Sequence, residues 1–458
     1  MDKIPKRQSK LWRWNIIVRI NFNLEMCQFE NLKMRRILFV GILFLFGTMT
    51  EAQVPSPSAA QSEKVWILAG TLHLGNGHVY NNVSIRFDKG IITAIDTSHA
   101  TKDFPDHVIV LAKHVYPGLI APNTTIGLNE IDAVRSTRDY NEVGENNSNI
   151  RSIIAYNADS KVTPTIRSNG ILLAQITPSG GSISGNSSIV QLDAWNWEDA
   201  AVKTDDALHL NWPRMHVQKG WWTEPGDIEK LQVDKEIKAM DEIFSNAKTY
   251  CSSKPELLNL KLEAFREVFS GKKKVYIHTD GAREMISAVQ FMQRHGITPV
   301  IVGGNESHLI TGFLRGNKIA VILIRTHNLP SLPEDDVDLP YKLPKILHDS
   351  GVLYCIADVG AWQQRNLPFQ VGTAVAFGLT PEQALMAVTK NTAEILGIGK
   401  NYGTLEVGKS ATLIISEGDI LDMKTSKVTR AWIDGRAINL DNSQKQLDKK
   451  YKAKYFGE

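Results

Sequence analysis

Between residues 116 and 400 the chain alternates short apolar runs with amphipathic stretches, and this rhythm limits the folds open to it. The runs are four to eight residues long, as in ILLAQI (171–176), KVYIH (274–278) and KIAVILI (318–324). KVYIH is followed by AREMISAVQFMQRHG, which has the spacing of a helix with one apolar face. Continuous apolar runs of this length are typical of buried parallel strands. The pattern predicts an α/β fold, either a closed barrel or a doubly wound sheet.

The segments on either side of this region have the shorter spacing of a small antiparallel sheet. Residues 64–115 and 401–440 carry alternating apolar runs separated by turns such as GNGH, DKG and IDG. We expect these two parts to form one β-sandwich domain. The long span between them favours the barrel over the doubly wound sheet. The predicted fold is therefore a TIM-type (β/α)8 barrel over 116–400 with a small β-sandwich built from both ends.

The first 52 residues have the features of a leader with a secretory signal peptide. Two arginines precede the uncharged run ILFVGILFLFGTM (37–49), and small residues follow it. The run is shorter than the roughly 20 residues that a membrane-spanning helix needs, so we expect no permanent membrane span. We predict export to the periplasm or the extracellular space. Translation starts at Met34, or the leader is unusually long.

The chain that follows the leader is nearly neutral. Residues 1–52 hold nine Lys or Arg and four Asp or Glu, so the remainder carries a net charge of about −2, and no nucleic-acid partner is expected. Residues 53–63 have the composition of a flexible spacer, and 441–458 form a charged C-terminal tail. Cys251 and Cys355, the two cysteines beyond the leader, are too few for a disulfide-built scaffold.

Four segments resemble amidohydrolases, especially the imidazolonepropionase-like group. They are KHVYPGLIAPNTT (113–125), TPSGGSISGNSSIVQL (177–192), VYIHTDG (275–281) and FGLTPEQALMAVTKNTAEILGIGKNYGTLEVGKSATLII (377–415). The last segment is the most specific, and the resemblance extends over nearly all of the chain after the spacer. It implies a metal-dependent hydrolase of carbon–nitrogen bonds other than ordinary peptide bonds. It also implies a divalent ion such as Zn²⁺, which lowers the pKa of bound water toward about 7.

The resemblance further implies metal ligands at the carboxyl ends of the barrel strands, and here the sequence departs from the family. Members carry an HxH pair after the first strand, often a Lys or Glu after the fourth, histidines after the fifth and sixth, and an Asp after the eighth. In PGLIAPNTT, Asn123 and Thr125 stand at the two histidine positions, and Gly303 and Gly304 stand where the sixth-strand histidine is expected. Asn and Thr are weak neutral ligands, so a transition metal loses two anchors here.

Two of the implied positions are filled. His278 closes KVYIH and is predicted to bind metal or to donate a hydrogen bond to substrate; the alternative is a polar residue kept for packing. Asp358 closes VLYCIAD and is predicted to be the catalytic proton acceptor and a metal ligand; the alternative is a helix cap or loop carboxylate. His308 becomes a third ligand if its loop folds back. These residues predict one weakly held divalent ion, with no bound metal as the alternative.

Substrate contacts are predicted at Asn123, Thr125 and Ser182. Ser182 lies between the turns PSGG and SGNS, and such Gly/Ser-rich loops either offer backbone amides to a ligand or simply connect strands.

The aromatic segment NWPRMHVQKGWWTEP is the other candidate pocket element. Trp212, Trp221 and Trp222 line a substrate pocket, or they pack in the core or a lid. His209 and His216 are predicted to be surface or packing residues.

Two functions of different class follow. The first is an exported hydrolase of carbon–nitrogen bonds with a reduced or rearranged metal site. The second is a catalytically inactive barrel that binds a ligand or pairs with an active homologous barrel, and the replacement of HxH by Asn123 and Thr125 favours it. The expected partner is a small-molecule substrate or ligand, or a homologous barrel.

Overall fold

The apolar segments at the two ends of the described chain meet in one seven-stranded sheet. The computed structural model describes residues 56–97, 106–215, 230–253 and 256–457, so the predicted leader lies outside them. The strands of this sheet are β1 (Lys64–His73), β2 (Val79–Asp88), β3 (Ile91–Asp96), β4 (His107–Pro117), β13 (Leu413–Ser416), β14 (Val428–Ile433) and β15 (Arg436–Ala437). Their order is β15-β14-β13-β4-β1-β2-β3.

The pairing of β4 with β13 joins the two halves that the sequence predicts. Pro117 lies opposite Leu413 in an antiparallel ladder. The sheet has its own apolar core, in which Ile67, Phe87 and Trp432 are buried. From Val54 onward the chain forms one compact unit, so a separate β-sandwich domain stays a prediction.

The apolar runs of the central region form a nearly closed barrel of eight strands. They are β5 (Leu119–Thr124), β6 (Ile171–Ile176), β7 (Ile183–Gln191), β8 (Ala201–Asn211), β9 (Lys274–Thr279), β10 (Val300–Gly303), β11 (Ala320–Ile324) and β12 (Tyr354–Ala357). Each strand pairs with the next one along the chain. This agrees with a TIM-type barrel, which carries its functional groups at the carboxyl ends of the strands.

One strand departs from the regular (β/α)8 repeat. β7 runs antiparallel to both β6 and β8, whereas the other paired strands of the barrel are parallel. The segment SGNS (184–187) lies inside β7 and is buried, so it forms part of a strand. Gly and Asn are depleted in strands, which explains why the sequence points to a turn at this position.

The barrel closes through a short segment placed between its first and last strands. The Ile120 N–H donates to the Val388 carbonyl at 2.9 Å, and the Ile356 N–H donates to the Ala387 carbonyl at 3.1 Å. Ala387 and Val388 precede a helix (Lys390–Leu396) that covers the amino end of the barrel, where the Tyr276 hydroxyl donates to the Ile395 carbonyl at 3.0 Å.

Twelve helices lie within the described ranges, most of them between barrel strands. They are α1 (Thr163–Arg167), α2 (Trp197–Ala200), α3 (Lys230–Ser252), α4 (Leu260–Glu263), α5 (Arg266–Phe269), α6 (Ala282–Arg294), α7 (Thr311–Gly316), α8 (Leu339–Asp349), α9 (Leu367–Ala376), α10 (Pro381–Met386), α11 (Lys390–Leu396) and α12 (Ser443–Phe456). Short 3-10 turns lie at Arg135–Thr137, Ser152–Ala155, Ser307–Ile310 and Trp362–Asn366. In the described ranges no helix is both long enough and apolar enough to cross a membrane. Cys251 and Cys355 are both free thiols.

Local sequence explains where α10 begins and which face of α6 is buried. Thr380 caps α10 and Gln383 bonds back to it, which is the reciprocal arrangement that a Thr-Pro-Glu-Gln start predicts. Helix α6 turns Met285, Val289 and Met292 toward the barrel, and all three are buried.

Candidate functional site

A cavity of about 610 Å³ opens at the carboxyl ends of β8 to β11. Because these parallel strands end on one side of the barrel, the residues that follow them converge there. His278 at the end of β9 lines the cavity together with Asn211 and Trp212 from the end of β8. Trp212 also packs edge-on against Phe291 of α6, so it takes both roles that the sequence left open. Trp221, Trp222 and His216 lie outside the described residues.

A pair of histidines links the cavity to the barrel interior. His278 Nε2 lies 2.9 Å from His209 Nδ1, which is a hydrogen-bonding distance. His209 is completely buried in β8 and stacks edge-on with Tyr276. Its Nε2 has no hydrogen-bond partner among the described residues. The interpretation of His209 as a surface residue is therefore wrong, and its contact with His278 goes beyond packing.

Burial keeps both imidazoles neutral at ordinary pH. It lowers the pKa of His278 from 6.5 to about 4. Burial, and then the neighbouring His278, also lower the pKa of His209 well below its ordinary value. A neutral imidazole has one donor and one acceptor nitrogen, so the bond between the two rings fixes complementary tautomers. Either His278 donates from Nε2 and presents an acceptor Nδ1, or the reverse holds.

Three carboxylates and one arginine surround the rest of the cavity. Glu284 Oε1 accepts from the Met215 N–H at 2.9 Å, and Glu306 Oε2 accepts from the Ala282 N–H at 2.8 Å. Burial raises the pKa of Asp280, whereas the Asn305 N–H and the Arg214 guanidinium oppose that rise. This side of the cavity is therefore predominantly acidic.

The sixth-strand position carries glycine for a steric reason that the structure shows. Gly303 has a φ of +105°, and a Cβ there would lie 2.5 Å from Asp280 Oδ1 and 2.8 Å from the Thr279 carbonyl oxygen. L-residues rarely adopt this conformation, so a histidine does not fit there without local rearrangement.

Asn123 and Thr125, which stand at the expected HxH positions after the first barrel strand, are held by backbone contacts. Asn123 has a φ of +52°, and its N–H donates to Gln175 Oε1 at 3.1 Å. The Thr125 N–H is 3.5 Å from the Gly360 carbonyl, and the Thr125 hydroxyl is buried with no partner among the described residues. Neither residue belongs to the lining of the 610 Å³ cavity.

Gln175 leads to a buried polar network that the sequence did not indicate. Gln175 Nε2 donates to Asp206 Oδ2 at 2.8 Å, and the Ser187 hydroxyl donates to Asp206 Oδ1 at 2.7 Å. Burial raises the pKa of Asp206, and these two hydrogen bonds oppose the rise. The preceding Asp205 has a φ of +49° where the β7–β8 register is irregular, and such a bulge changes the face to which the next side chain points.

Asp358, the predicted proton acceptor, is buried behind β12. Its carboxylate accepts from the Val359 N–H at 2.7 Å and from Gln370 Nε2 of α9. Burial raises the pKa of Asp358. It is not one of the described residues that line the cavity with His278.

His308 and Ser182 lie at two further places on the barrel rim. His308 Nδ1 is 3.3 Å from the Asn305 carbonyl oxygen within its own loop. The Ser182 hydroxyl donates to Glu145 Oε2 at 2.9 Å, and the Ser182 carbonyl accepts from the Asn211 N–H at 3.0 Å. Ser182 is not in the described lining of the cavity, but its backbone bonds to Asn211, which is.

The side chains of the described ranges do not fit a zinc site. No group of three or more His, Cys, Asp or Glu side chains is placed there to share an ion. A catalytic zinc takes three protein ligands, whereas His278 is joined to one other imidazole and Asp358 is bonded to Gln370. The metal set of His278, Asp358 and His308 stays a prediction for metal analysis to test.

The known proteins to which this chain is similar are amidohydrolases and imidazolonepropionases. The model of the amidohydrolase family matches residues 341–438. Amidohydrolase tasK of Hapsidospora irregularis is 20% identical over 387 residues, which are 76% of this chain and 39% of tasK. The imidazolonepropionase of Flavobacterium johnsoniae is 22% identical over 297 residues, which are 55% of this chain and 71% of that enzyme.

A solved structure supports the fold. The amidohydrolase from Thermotoga maritima superimposes with a TM-score of 0.70 at 20% sequence identity, over 81% of this chain and 99% of that one. The two proteins therefore share a fold over this range.

Proposed function

Because the chain belongs to the amidohydrolase superfamily, we propose that it hydrolyses a carbon–nitrogen bond of a small molecule held in the 610 Å³ cavity. The observation that carries this proposal is the hydrogen-bonding contact between the half-buried His278 and the buried His209 at the cavity wall. A neutral imidazole held at the end of a barrel strand is a proton acceptor for water in the tautomer that leaves its Nδ1 unprotonated.

The residues of this chain support the following order of reaction steps. His278 donates from Nε2 to His209 and takes a proton at Nδ1 from the water that attacks the carbonyl carbon. The tetrahedral intermediate then breaks its carbon–nitrogen bond, and His278 returns the proton to the leaving nitrogen. Water is consumed, and an acid and an amine are formed. A base whose pKa is about 4 is weak, so we expect slow turnover.

A non-catalytic function is the second candidate. Asn123 and Thr125 replace the HxH pair, and the described residues contain no three-ligand group. Under this proposal the barrel binds a small molecule without hydrolysing it, or pairs with an active homologous barrel.

A substrate screen separates the two candidates. Release of amine is measured from a panel of acyclic amides and five- and six-membered cyclic amides, with the wild type, His278→Ala and the control His308→Ala. Hydrolysis that His278→Ala abolishes and His308→Ala retains supports the enzyme. Saturable binding without amine release supports the second candidate.

Metal content is measured on the same preparations, purified without chelator. We expect less than one ion per chain, since the three predicted ligands are not grouped. A stoichiometric ion that a His278→Ala, Asp358→Ala double variant loses would instead establish the rearranged metal site.

We further propose that the chain is exported through its N-terminal leader and that its seven-stranded sheet acts as the β-sandwich domain of the fold. Mass spectrometry of the protein from a secreting host tests the first point, because export predicts a mature terminus near residue 53.

A further inference from the structure

Helix α12 is a cationic helix whose residues are all exposed. None of its 14 residues is buried. It holds five lysines and one aspartate, whereas the whole chain after the leader has a net charge of about −2. Positive charge is therefore concentrated in one exposed element, at a net value of about +4.

The same helix carries an apolar stripe. Leu447, Tyr451 and Tyr455 are spaced by four residues, so they lie on one face. Their exposed fractions are 49%, 48% and 66%. The two tyrosine rings stack with their centroids 6.3 Å apart, and Lys454 lies 5.0 Å from the ring of Tyr455.

The N-terminus of α12 is hydrogen-bonded to α1 and to the residue that follows it, whereas the remaining turns are exposed. Asn442 caps it through the Lys445 N–H at 2.9 Å and donates to the Ser168 hydroxyl at 2.9 Å. Gln444 Oε1 accepts from the Thr165 hydroxyl of α1 at 2.7 Å. Isolated helices shorter than about 12–15 residues are marginal in water, so a helix that buries nothing gains stability from a partner.

The first described residues join the body at the same short helix. The Ser58 N–H donates to Asp193 Oδ2 at 3.0 Å, and Asp193 Oδ1 accepts from Arg167 of α1 at 2.6 Å. The first described residues and α12 therefore contact the protein at the same end of the barrel. Helix α1 directly precedes β6, so this contact region lies at the amino ends of the parallel barrel strands. The cavity opens at their carboxyl ends, on the opposite side of the barrel.

We propose that α12 adsorbs to the surface of an anionic phospholipid membrane. Lysines contact the lipid phosphates, and the Leu447, Tyr451 and Tyr455 stripe enters the interfacial layer, where amphipathic tyrosine rings are favoured. The stripe favours lipid over a polyanion such as RNA, which offers no apolar layer. Adsorption at this end leaves the cavity mouth facing away from the membrane.

Vesicle flotation tests the proposal with the protein from Val54 onward, which forms one compact unit. It is mixed with vesicles of phosphatidylcholine alone or of phosphatidylcholine with phosphatidylglycerol. We expect flotation only with the anionic vesicles and a decrease as salt is added, because salt screens exposed charges.

Two variants and one matched control separate the contributions. Lys449→Glu, Lys450→Glu and Lys454→Glu together are expected to lower the partition coefficient by at least about tenfold. Tyr451→Ser with Tyr455→Ser keeps the charge and is expected to lower it several-fold. The control reverses Lys235, Lys238 and Lys248, which are exposed on α3, and is expected to bind like the wild type.

Three results overturn the proposal. The wild type does not float with anionic vesicles, or the α12 and α3 reversals weaken flotation equally, or the protein is retained on RNA while vesicles do not bind it. Thermal unfolding of every variant checks that the body is intact, and none of these readouts depends on hydrolysis.

Discussion

The carboxyl ends of β9 and β12 each carry one residue that the family resemblance marks as functional, and the two ends differ in what their side chains contact. His278 faces the cavity and bonds to one buried imidazole. Asp358 faces α9, and both of its carboxylate oxygens accept hydrogen bonds from the protein. A residue that matches the family at the end of a barrel strand therefore has a defined backbone position. The neighbouring strands and helices determine whether its side chain reaches the cavity.

The largest expected difference between the two ends is in pH dependence. The pKa of His278 falls from 6.5 to about 4 on folding, so its contribution is complete above pH 6.5 and is lost as the pH falls through about 4. The difference corresponds to about 3 kcal/mol of unfolding free energy. The pKa of Asp358 is raised, so its contribution is complete below pH 3.8 and is lost as the pH rises. Urea unfolding between pH 4 and 8 measures both.

Two neutral variants test these opposite signs. His278→Asn should flatten the loss of stability on acidification, and Asp358→Asn should flatten the loss on the alkaline side. Equal slopes in the wild type and both variants would remove the distinction between the two ends.

The next effect concerns Gly303, a cavity-lining residue at the end of β10. Gly303→Ala places a Cβ against the Thr279 carbonyl at a φ of +105°, and we expect a loss of about 2 to 3 kcal/mol in unfolding free energy. Chemical denaturation measures it. Gly316→Ala, where a Cβ meets nothing within 4 Å, is the matched control. Equal losses would mean that Gly303 is not constrained by its neighbours.

Asp358→Ala is expected to cost about 2 kcal/mol, because Gln370 Nε2 and the Val359 N–H lose a buried acceptor. Binding of a cavity ligand should change little, since Asp358 is not in the described lining. Calorimetric titration with the best ligand from the amide screen measures this. A loss of binding without a loss of stability would place Asp358 in the functional site.

The smallest effect is expected at His308. His308 Nδ1 lies 3.3 Å from the Asn305 carbonyl oxygen on a partly exposed loop, so His308→Ala should change stability by less than about 0.5 kcal/mol. Loss of bound metal in this variant would contradict that expectation and support its predicted role as a ligand.

The sequence predicted the barrel because long apolar runs leave a strongly periodic signal, and the pairing of the two ends because both have the spacing of short strands. It missed the antiparallel course of β7, since Gly and Asn inside SGNS also suit a turn. The burial of His209 could have been predicted from the sequence. It lies within the apolar run formed by Ala207, Leu208 and Leu210, and strands with such runs are buried on both faces. Its bond to His278 depends on the register of β8 against β9, which no local pattern encodes.

The segment that joins β5 to β12 has a consequence for synthesis of the protein. The Ile120 N–H bonds to the Val388 carbonyl and the Ile356 N–H to the Ala387 carbonyl, so the first barrel strand lacks this closing partner until the ribosome has made more than four-fifths of the chain. During that time an unpaired apolar strand edge is exposed, and such edges pair readily with other chains. Truncations that end before Ala387 should therefore aggregate during synthesis, whatever chemistry the barrel mouth performs.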